Sequence, residues 1–250
     1  MIITLSQSSI NVYLESQLQF YYQYILKSEP DTQVPVCYGL AGGLVHKFLE
    51  KYYYEDRYEL GNSFTNKWKE LKLDKLKGIN NKPLSCNTYL EALYKGIDKH
   101  NKYNILSKET TIDIPLYSDN YNNIRLKGII DVVTADQDNI VLVDWKTSSS
   151  VPNNQSPDLQ AKMYCYLYYK KYGVIPKKFI FEYIKIGKTI EKSYSINDLL
   201  EFEKFVKDIA KELISKGTDI NNYKVGNFET LFNTHKQKCL KEYLRRKNIK

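Results

Sequence analysis

The 250-residue chain carries 37 Lys and Arg residues against 29 Asp and Glu residues, which gives a formal net charge of +8. The sequence pI near 9.0 indicates a basic surface, which suits a polyanionic partner such as nucleic acid. The competing explanation is compositional, since the chain is rich in Lys, Asn, Ile and Tyr, as the product of an AT-rich genome would be. A hydrophobic fraction of 42% is enough for a packed core, and no apolar run is long enough to cross a membrane.

The opening stretch, MIITLSQSS, has no basic region followed by a long apolar run, so we expect no signal peptide. The cysteines are widely spaced and form no CxxC pair, which argues against a zinc site and favours a reducing environment; they are Cys37, Cys86, Cys165 and Cys239. We therefore expect an intracellular protein, cytoplasmic or nucleoid-associated, with an organellar or virus-encoded origin left open.

Residues 6–27 and 38–54 each show the apolar spacing of an amphipathic helix. Ser8 or Ser9 is the expected N-cap of the first helix. In the second helix, the residues expected to face the core are Leu40, Leu44, Phe48 and Tyr52. His46 lies on another face of that helix, where an isolated His is most often a surface residue.

The residue pattern over 55–104 predicts two or three further helical pieces, and no catalytic pattern is found in them. The segment 105–117, ILSKETTIDIPLY, predicts the start of a sheet. Its Glu109 has two interpretations, as a residue that reaches a nearby site or as a solvent-facing strand residue, and we expect the second.

The stretch KGIIDVVTADQDNIVLVDWKT predicts two strands, over 124–135 and 140–147, because both segments are rich in Ile and Val. Turn-forming residues separate the two segments. A hairpin folded symmetrically about that turn places Ala135 opposite Ile140.

In that register Asp131 lies opposite Asp144, and Lys146 shares their face because side chains alternate along a strand. Two neighbouring buried carboxylates repel each other, and a divalent cation would compensate for that repulsion. The lysine would add positive charge where a phosphoryl transition state develops negative charge. The alternative is a structural Asp144–Lys146 salt bridge with Asp131 at an exposed edge, and a one-residue slip would separate the three groups.

A helix is predicted over 158–172, with Gln160 and Tyr164 one turn apart on the same face. Gln160 is either a core-edge residue that binds a backbone group or a functional polar residue. A second hairpin over 177–194 and a long helix over 195–216 follow. The basic ending, KQKCLKEYLRRKNIK, is either a solvated end or an arm that contacts phosphates.

The ordered set of GIID, then VDWKT, then Gln160 and Tyr164 in DLQAKMYCY resembles the PD-(D/E)XK nuclease superfamily. Within it, the chain is most similar to the RecB-type nuclease domain, in its exonuclease-like branch. The sequence GGLVH matches the G-xx-H helix of that branch, and the resemblance therefore implies that His46 is a metal ligand. The resemblance covers residues 38 to 195.

The element order and the resemblance imply an α/β fold, with a mixed central β-sheet flanked by helices. We expect the restriction-endonuclease-like αβββαβ core with a helical N-terminal elaboration. The expected organisation is one domain over 1–250. Within it, 1–104 is mainly helical and carries the His46 helix, 105–217 is the catalytic core and 218–250 is a basic C-terminal tail.

The resemblance implies a divalent-metal-dependent deoxyribonuclease, and we expect an exonuclease that hydrolyses phosphodiester bonds from DNA ends, single-stranded ends included. The expected catalytic residues are Asp131, Asp144 and Lys146. The expected ligands of Mg²⁺ or Mn²⁺ are His46, Asp131, Asp144 and the backbone carbonyl of Trp145. The resemblance implies that Gln160 and Tyr164 contact the DNA backbone.

Iron–sulfur members of this branch carry a Cys-Pro pair in the N-terminal helix, and here Ser16 and Gln17 stand in its place. The C-terminal region offers only Cys239, so we expect no iron–sulfur cluster. The expected partner is DNA, with a helicase or recombination protein as a further hypothesis and no membrane. Two alternatives stay open: a nucleic-acid-binding module with an inactive nuclease fold, and a structure-specific or restriction-type endonuclease.

Overall fold

The mixed α/β fold expected from the sequence is confirmed: a six-stranded mixed sheet is flanked by helices. A computed structural model describes residues 2–31, 36–51, 56–78, 81–152, 156–230 and 233–247. Across these ranges, no helix has both the length and the apolar character that a bilayer crossing needs.

The helices are α1 (Gln7–Glu15), α2 (Gln17–Phe20), α3 (Cys37–Glu50), α4 (Arg57–Glu70), α5 (Cys86–His100), α6 (Ser156–Tyr172), α7 (Ile196–Lys216) and α8 (Lys236–Arg246). The strands are β1 (Ile2–Leu5), β2 (Asn104–Ser118), β3 (Asn123–Asp136), β4 (Asn139–Lys146), β5 (Lys178–Tyr183) and β6 (Lys188–Lys192). A π-helical turn (Tyr21–Ile25) continues directly from α2.

The sheet has the strand order β1-β3-β4-β5-β6, and β2 also pairs with β3. The β3–β4 and β5–β6 pairs are antiparallel, whereas β1–β3 and β4–β5 are parallel. Strand β1 was not predicted, because four residues are too few to show an alternating pattern. The α6 helix connects the parallel strands β4 and β5, as such a connection requires.

The chain divides into two compact units. One comprises Met1–Val34, Asp113–Gly128 and Asn197–Lys250, and the other comprises Pro35–Ile112 and Ile129–Ile196. The long strands β2 and β3 each contribute residues to both units.

The core of the second unit joins α3, α4 and α5 to the inner strands, and its largest buried side chains include Phe64, Trp68 and Trp145. The buried residues of α3 are Cys37, Ala41, Gly42, Leu44, Val45 and Leu49. The expectation that Leu40 faces this core is wrong, since its side chain is 47% exposed. A stripe of strictly four-residue spacing drifts around a helix of 3.6 residues per turn, and the buried positions therefore alternate between three and four. Tyr52 lies outside the described residues.

In the first unit, the helix expected over 6–27 is interrupted at Ser16. The N-cap of α1 is Ser6, which forms a capping box with Ser9, so the expected N-caps are wrong by two or three positions. The Ser16 hydroxyl donates to the Val225 carbonyl at 3.0 Å. A Cβ added at Gly226 would lie 2.6 Å from the Glu15 carbonyl oxygen, so this crossing of two chain segments requires a glycine.

The basic ending forms α8, and its charges take part in packing. Glu242 is buried and accepts hydrogen bonds from the guanidinium groups of Arg245 and Arg246. Arg246 also donates to the carbonyl oxygens of Ile220 and Tyr223. These two arginines therefore join α8 to the segment before it.

Candidate metal centre

The β3–β4 hairpin pairs in the register expected from the sequence, and its ladder extends from the turn to Val132 opposite Val143. The next residues along the two strands are Asp131 and Asp144. Asp131 Oδ2 accepts a hydrogen bond from the backbone N–H of Trp145 at 2.7 Å. The two carboxylates therefore lie where backbone pairing between these strands ends.

Asp144 forms a closed polar triangle with Lys146 and Gln160. Lys146 Nζ lies 2.7 Å from Asp144 Oδ2 and donates to Gln160 Oε1 at 2.8 Å. The amide nitrogen of Gln160 donates to Asp144 Oδ1 at 2.7 Å. Both Asp144 and Gln160 are buried, at 4% and 8% exposure, so the three side chains hold one another in place.

His46 reaches the hairpin from α3, and its Nδ1 lies 3.4 Å from Asp131 Oδ2. One turn earlier, a Cβ added at Gly42 would lie 2.7 Å from Thr147 Oγ1. The glycine therefore lets α3 approach the end of β4 closely enough for the imidazole to meet the carboxylate.

Glu109 on β2 joins this group, although we expected it to face solvent; that expectation is wrong. Single ligand atoms of His46, Glu109 and Asp131 all lie within 4.8 Å of one another. Asp144 does not complete such a group among the described residues. The alternating pattern of β2 gives no signal for this position, because Glu109 has a backbone φ of +48° that the pattern does not reveal.

A cavity of about 590 Å³ opens onto the group. One face of α3 forms a wall of it, with Gly39 and Gly43 beside His46, and the carboxylates of Glu109 and Asp131 lie in the same lining as Lys146. This volume admits a small polar or charged ligand directly to the side chains described above.

The ionisable groups of this centre strongly shift one another's pKa values. Burial alone would lower the pKa of His46, but the neighbouring Asp131 carboxylate raises it to about 9. Burial, and next the charge of Asp131, raise the pKa of Glu109 to about 7. Burial also raises the pKa of Asp144, against the opposing effect of Lys146. Burial and the neighbouring Asp131 carboxylate therefore disfavour the ionised forms of Glu109 and Asp144.

This donor set fits a divalent cation. Three carboxylates and an imidazole offer hard oxygen ligands and one nitrogen within a single region. Asp144 Oδ2 is buried and makes an ion pair with Lys146, but no hydrogen bond of acceptable geometry reaches it from the described residues. A cation would supply further positive charge beside this oxygen and beside the Glu109 carboxylate, which has no lysine or arginine partner among the described residues.

Tyr164 lies one turn beyond Gln160 on α6, half-buried, with its ring 5.9 Å from that of Phe179. Burial, and next the charge of Asp144, raise the pKa of its hydroxyl. The Trp145 side chain packs in the core, and the proposed use of its backbone carbonyl as a ligand stays a prediction.

All four cysteines are free, and Cys37 and Cys86 do not form a cluster. The Cys37 thiol donates to the carbonyl oxygen of Lys77 instead.

Residues 4–240 match a family model described as the PD-(D/E)XK nuclease superfamily. A comparison with curated proteins gives no match. Among solved structures, one described as a "putative exonuclease" from Eubacterium rectale is 11% identical, with a TM-score of 0.49, and the match covers 84% of this chain and 80% of that one. A structure described as SSO0001 is 14% identical, with a TM-score of 0.35, over 68% of this chain and 84% of the other.

Proposed function

The chain belongs to the PD-(D/E)XK nuclease superfamily, and we propose that it is a divalent-metal-dependent deoxyribonuclease that acts as an exonuclease on DNA ends. Membership makes it a hydrolase of nucleic acids. The observation that carries the finer proposal is the convergence of Asp131, Asp144 and Lys146 at the end of the β3–β4 ladder, beside His46. A preference for single-stranded ends, a helicase or recombination partner and an intracellular location are further parts of the proposal.

In this proposal Asp131, Asp144, His46 and the backbone carbonyl of Trp145 hold the cation. When bound, Mg²⁺ or Mn²⁺ supplies a Lewis acid for the scissile phosphate and lowers the pKa of a coordinated water. A positive charge is favourable here because burial and the charge of Asp131 disfavour the ionised form of Asp144. His46 must be neutral to act as a ligand, so binding displaces the proton that Asp131 otherwise stabilises on the ring.

Lys146 provides the positive charge that the protein itself contributes. Its ammonium group would stabilise the negative charge of the pentacovalent phosphorus or orient the attacking water. Gln160 acts as a positioning residue, because its amide holds Lys146 and Asp144 at the same time. With both ends of the amide engaged, a contact of Gln160 or Tyr164 with the DNA backbone is secondary in this proposal.

The proposal is tested with end-labelled linear DNA, single- and double-stranded, and with circular DNA and RNA, in Mg²⁺, in Mn²⁺ and in EDTA. Metal-dependent loss of linear DNA with circular DNA intact is the expected result. Cleavage of the circle would assign an endonuclease instead. Binding without cleavage in any metal would assign a binding module with an inactive nuclease fold, and cleavage restricted to RNA would identify another polymer as the substrate.

We expect no iron–sulfur cluster in the purified protein. Ser16 stands where iron–sulfur members of the family have their N-terminal cluster cysteine. Its hydroxyl donates a hydrogen bond to the Val225 carbonyl. Cys239 is the only cysteine of the C-terminal segment.

A further inference from the structure

Glu109 has a strained backbone. Of the non-glycine residues with positive φ in the described ranges, it is the one that lies within a strand. The left-handed conformation is unfavourable for a residue with a side chain, and such strain is retained where the surroundings or a function require it. In a strand it redirects the side chain, as a bulge does.

The redirected carboxylate lies among groups that do not neutralise it. The charged groups nearest to it include Asp131, Glu50 and Asp144, all acidic, and His46 is the cationic neighbour. No ion pair joins Glu109 to a lysine or arginine of the described chain. A carboxylate directed into a mainly acidic region, with no lysine or arginine partner, is electrostatically unfavourable.

The distances suit one shared ion. The ligand atoms of His46, Glu109 and Asp131 lie within 4.8 Å of one another. Ligands that bind one Mg²⁺ ion at about 2.1 Å lie at most about 4.2 Å apart, so small side-chain rotations close the site. Asp144 is outside this three-residue group and is held by Lys146 and Gln160.

We propose that Glu109 is a further side-chain ligand of the divalent cation that His46 and Asp131 hold in the proposed function. Glu109, like Asp144, is then an acidic neighbour of Asp131 at this centre. The inference rests on the proposed function only in placing a divalent ion at this centre. A mixed imidazole and carboxylate position suits Mn²⁺ as a probe.

The test is a titration of the purified full chain with Mn²⁺ in the absence of DNA. Binding is measured by calorimetry or by the electron paramagnetic resonance signal of free Mn²⁺. Glu109→Gln should weaken the tightest Mn²⁺ binding at least about tenfold, because it removes a charged ligand. Glu50→Gln is the matched control, since Glu50 lines the same cavity outside the three-residue group. Equal Mn²⁺ affinity in the Glu109 and Glu50 variants would overturn the proposal.

A second variant, Glu109→Gly, removes the carboxylate and suits the left-handed backbone. We expect its melting temperature in EDTA to be equal to or above that of the wild type. We also expect Mn²⁺ to raise its melting temperature by less than it raises that of the wild type. An undiminished rise with Mn²⁺ would also overturn the inference. Because neither measurement contains DNA, Mn²⁺ binding through Glu109 without DNA cleavage would reject the proposed function alone.

Discussion

Lys146 is the one cation in the polar triangle with Asp144 and Gln160, and its position depends on both neighbours. Its ammonium lies 2.7 Å from Asp144 and 2.8 Å from Gln160. These two contacts fix the direction of the ammonium group.

Lys146→Ala should lower the rate of DNA cleavage about 10²–10³-fold, as removal of a preorganised transition-state contact does. Asp131→Ala and Asp144→Ala should each lower it by orders of magnitude, because they remove proposed metal ligands. The measurement is single-turnover cleavage of end-labelled DNA in Mg²⁺, with far-UV circular dichroism to verify folding. Lys47→Ala is the control, since Lys47 is an exposed lysine that lines the same cavity. Near-normal cleavage by the Asp144 variant would refute its assignment.

Gln160→Ala should lower kcat about 10- to 100-fold and leave the KM for DNA nearly unchanged. The reason is that the amide holds Lys146 and Asp144 and is itself buried. Steady-state kinetics on a labelled oligonucleotide separates the two parameters. A raised KM with an unchanged kcat would instead identify Gln160 as a DNA contact.

At the scale of elements, the central hairpin could be predicted because two Ile- and Val-rich strands and a tight turn determine its register together. The convergence of Asp131, Asp144 and Lys146 follows from that register alone. Glu109 could not be predicted, since its position depends on a left-handed residue inside β2. The strand β1 and the break at Ser16 were also missed, because both depend on partners more than one hundred residues away.

Helix α8 supports a pH-dependent prediction. Hydrogen bonds from Arg245 and Arg246 lower the pKa of Glu242 to about 2, with the Arg245 bond as the largest cause. Burial acts in the opposite direction. The unfolded chain has a Glu pKa near 4.3. The ion pairs therefore stabilise the fold above about pH 4.3, and that stabilisation is lost as the pH falls towards 2.

Glu242→Gln should thus destabilise the protein by about 2 kcal/mol at pH 7, the range of a hydrogen bond to a charged group. The difference from the wild type should shrink as the pH is lowered from 5 to 2.5. Urea unfolding at several pH values measures it, with Glu201→Gln, an exposed position on α7, as the control. A difference that does not change with pH would contradict the role of these ion pairs.

At the scale of the whole molecule, the net charge of +8 predicts that DNA affinity depends steeply on salt. Affinity for a labelled oligonucleotide should fall about tenfold or more between 50 and 200 mM salt, because bound lysines release counterions. Fluorescence anisotropy in EDTA, which prevents cleavage, gives the salt slope, that is, the slope of log affinity against log salt concentration. An affinity independent of salt would show that phosphate contacts contribute little.

Deleting the chain after Leu240 would not test the basic tail cleanly, since Glu242 and Arg246 belong to the packing of α8. The double substitution Lys241→Gln and Lys247→Gln removes two exposed charges instead. With the arginines of α8 engaged in packing, we expect this variant to keep the salt slope of the wild type. A slope smaller by about 1.4 or more would mean that both lysines contact phosphates.

The first unit is assembled from three stretches that are far apart in the chain, and this has a consequence for biosynthesis. β1 pairs with residues 123–126, and the segment that follows it contacts residues beyond 220. A ribosome adds about 5–20 residues per second, so the β1 segment emerges roughly 6–24 seconds before its partner strand is synthesised. Its apolar residues Ile3 and Leu5 are buried only in the finished unit. During translation they form an exposed apolar segment of the kind that chaperones bind.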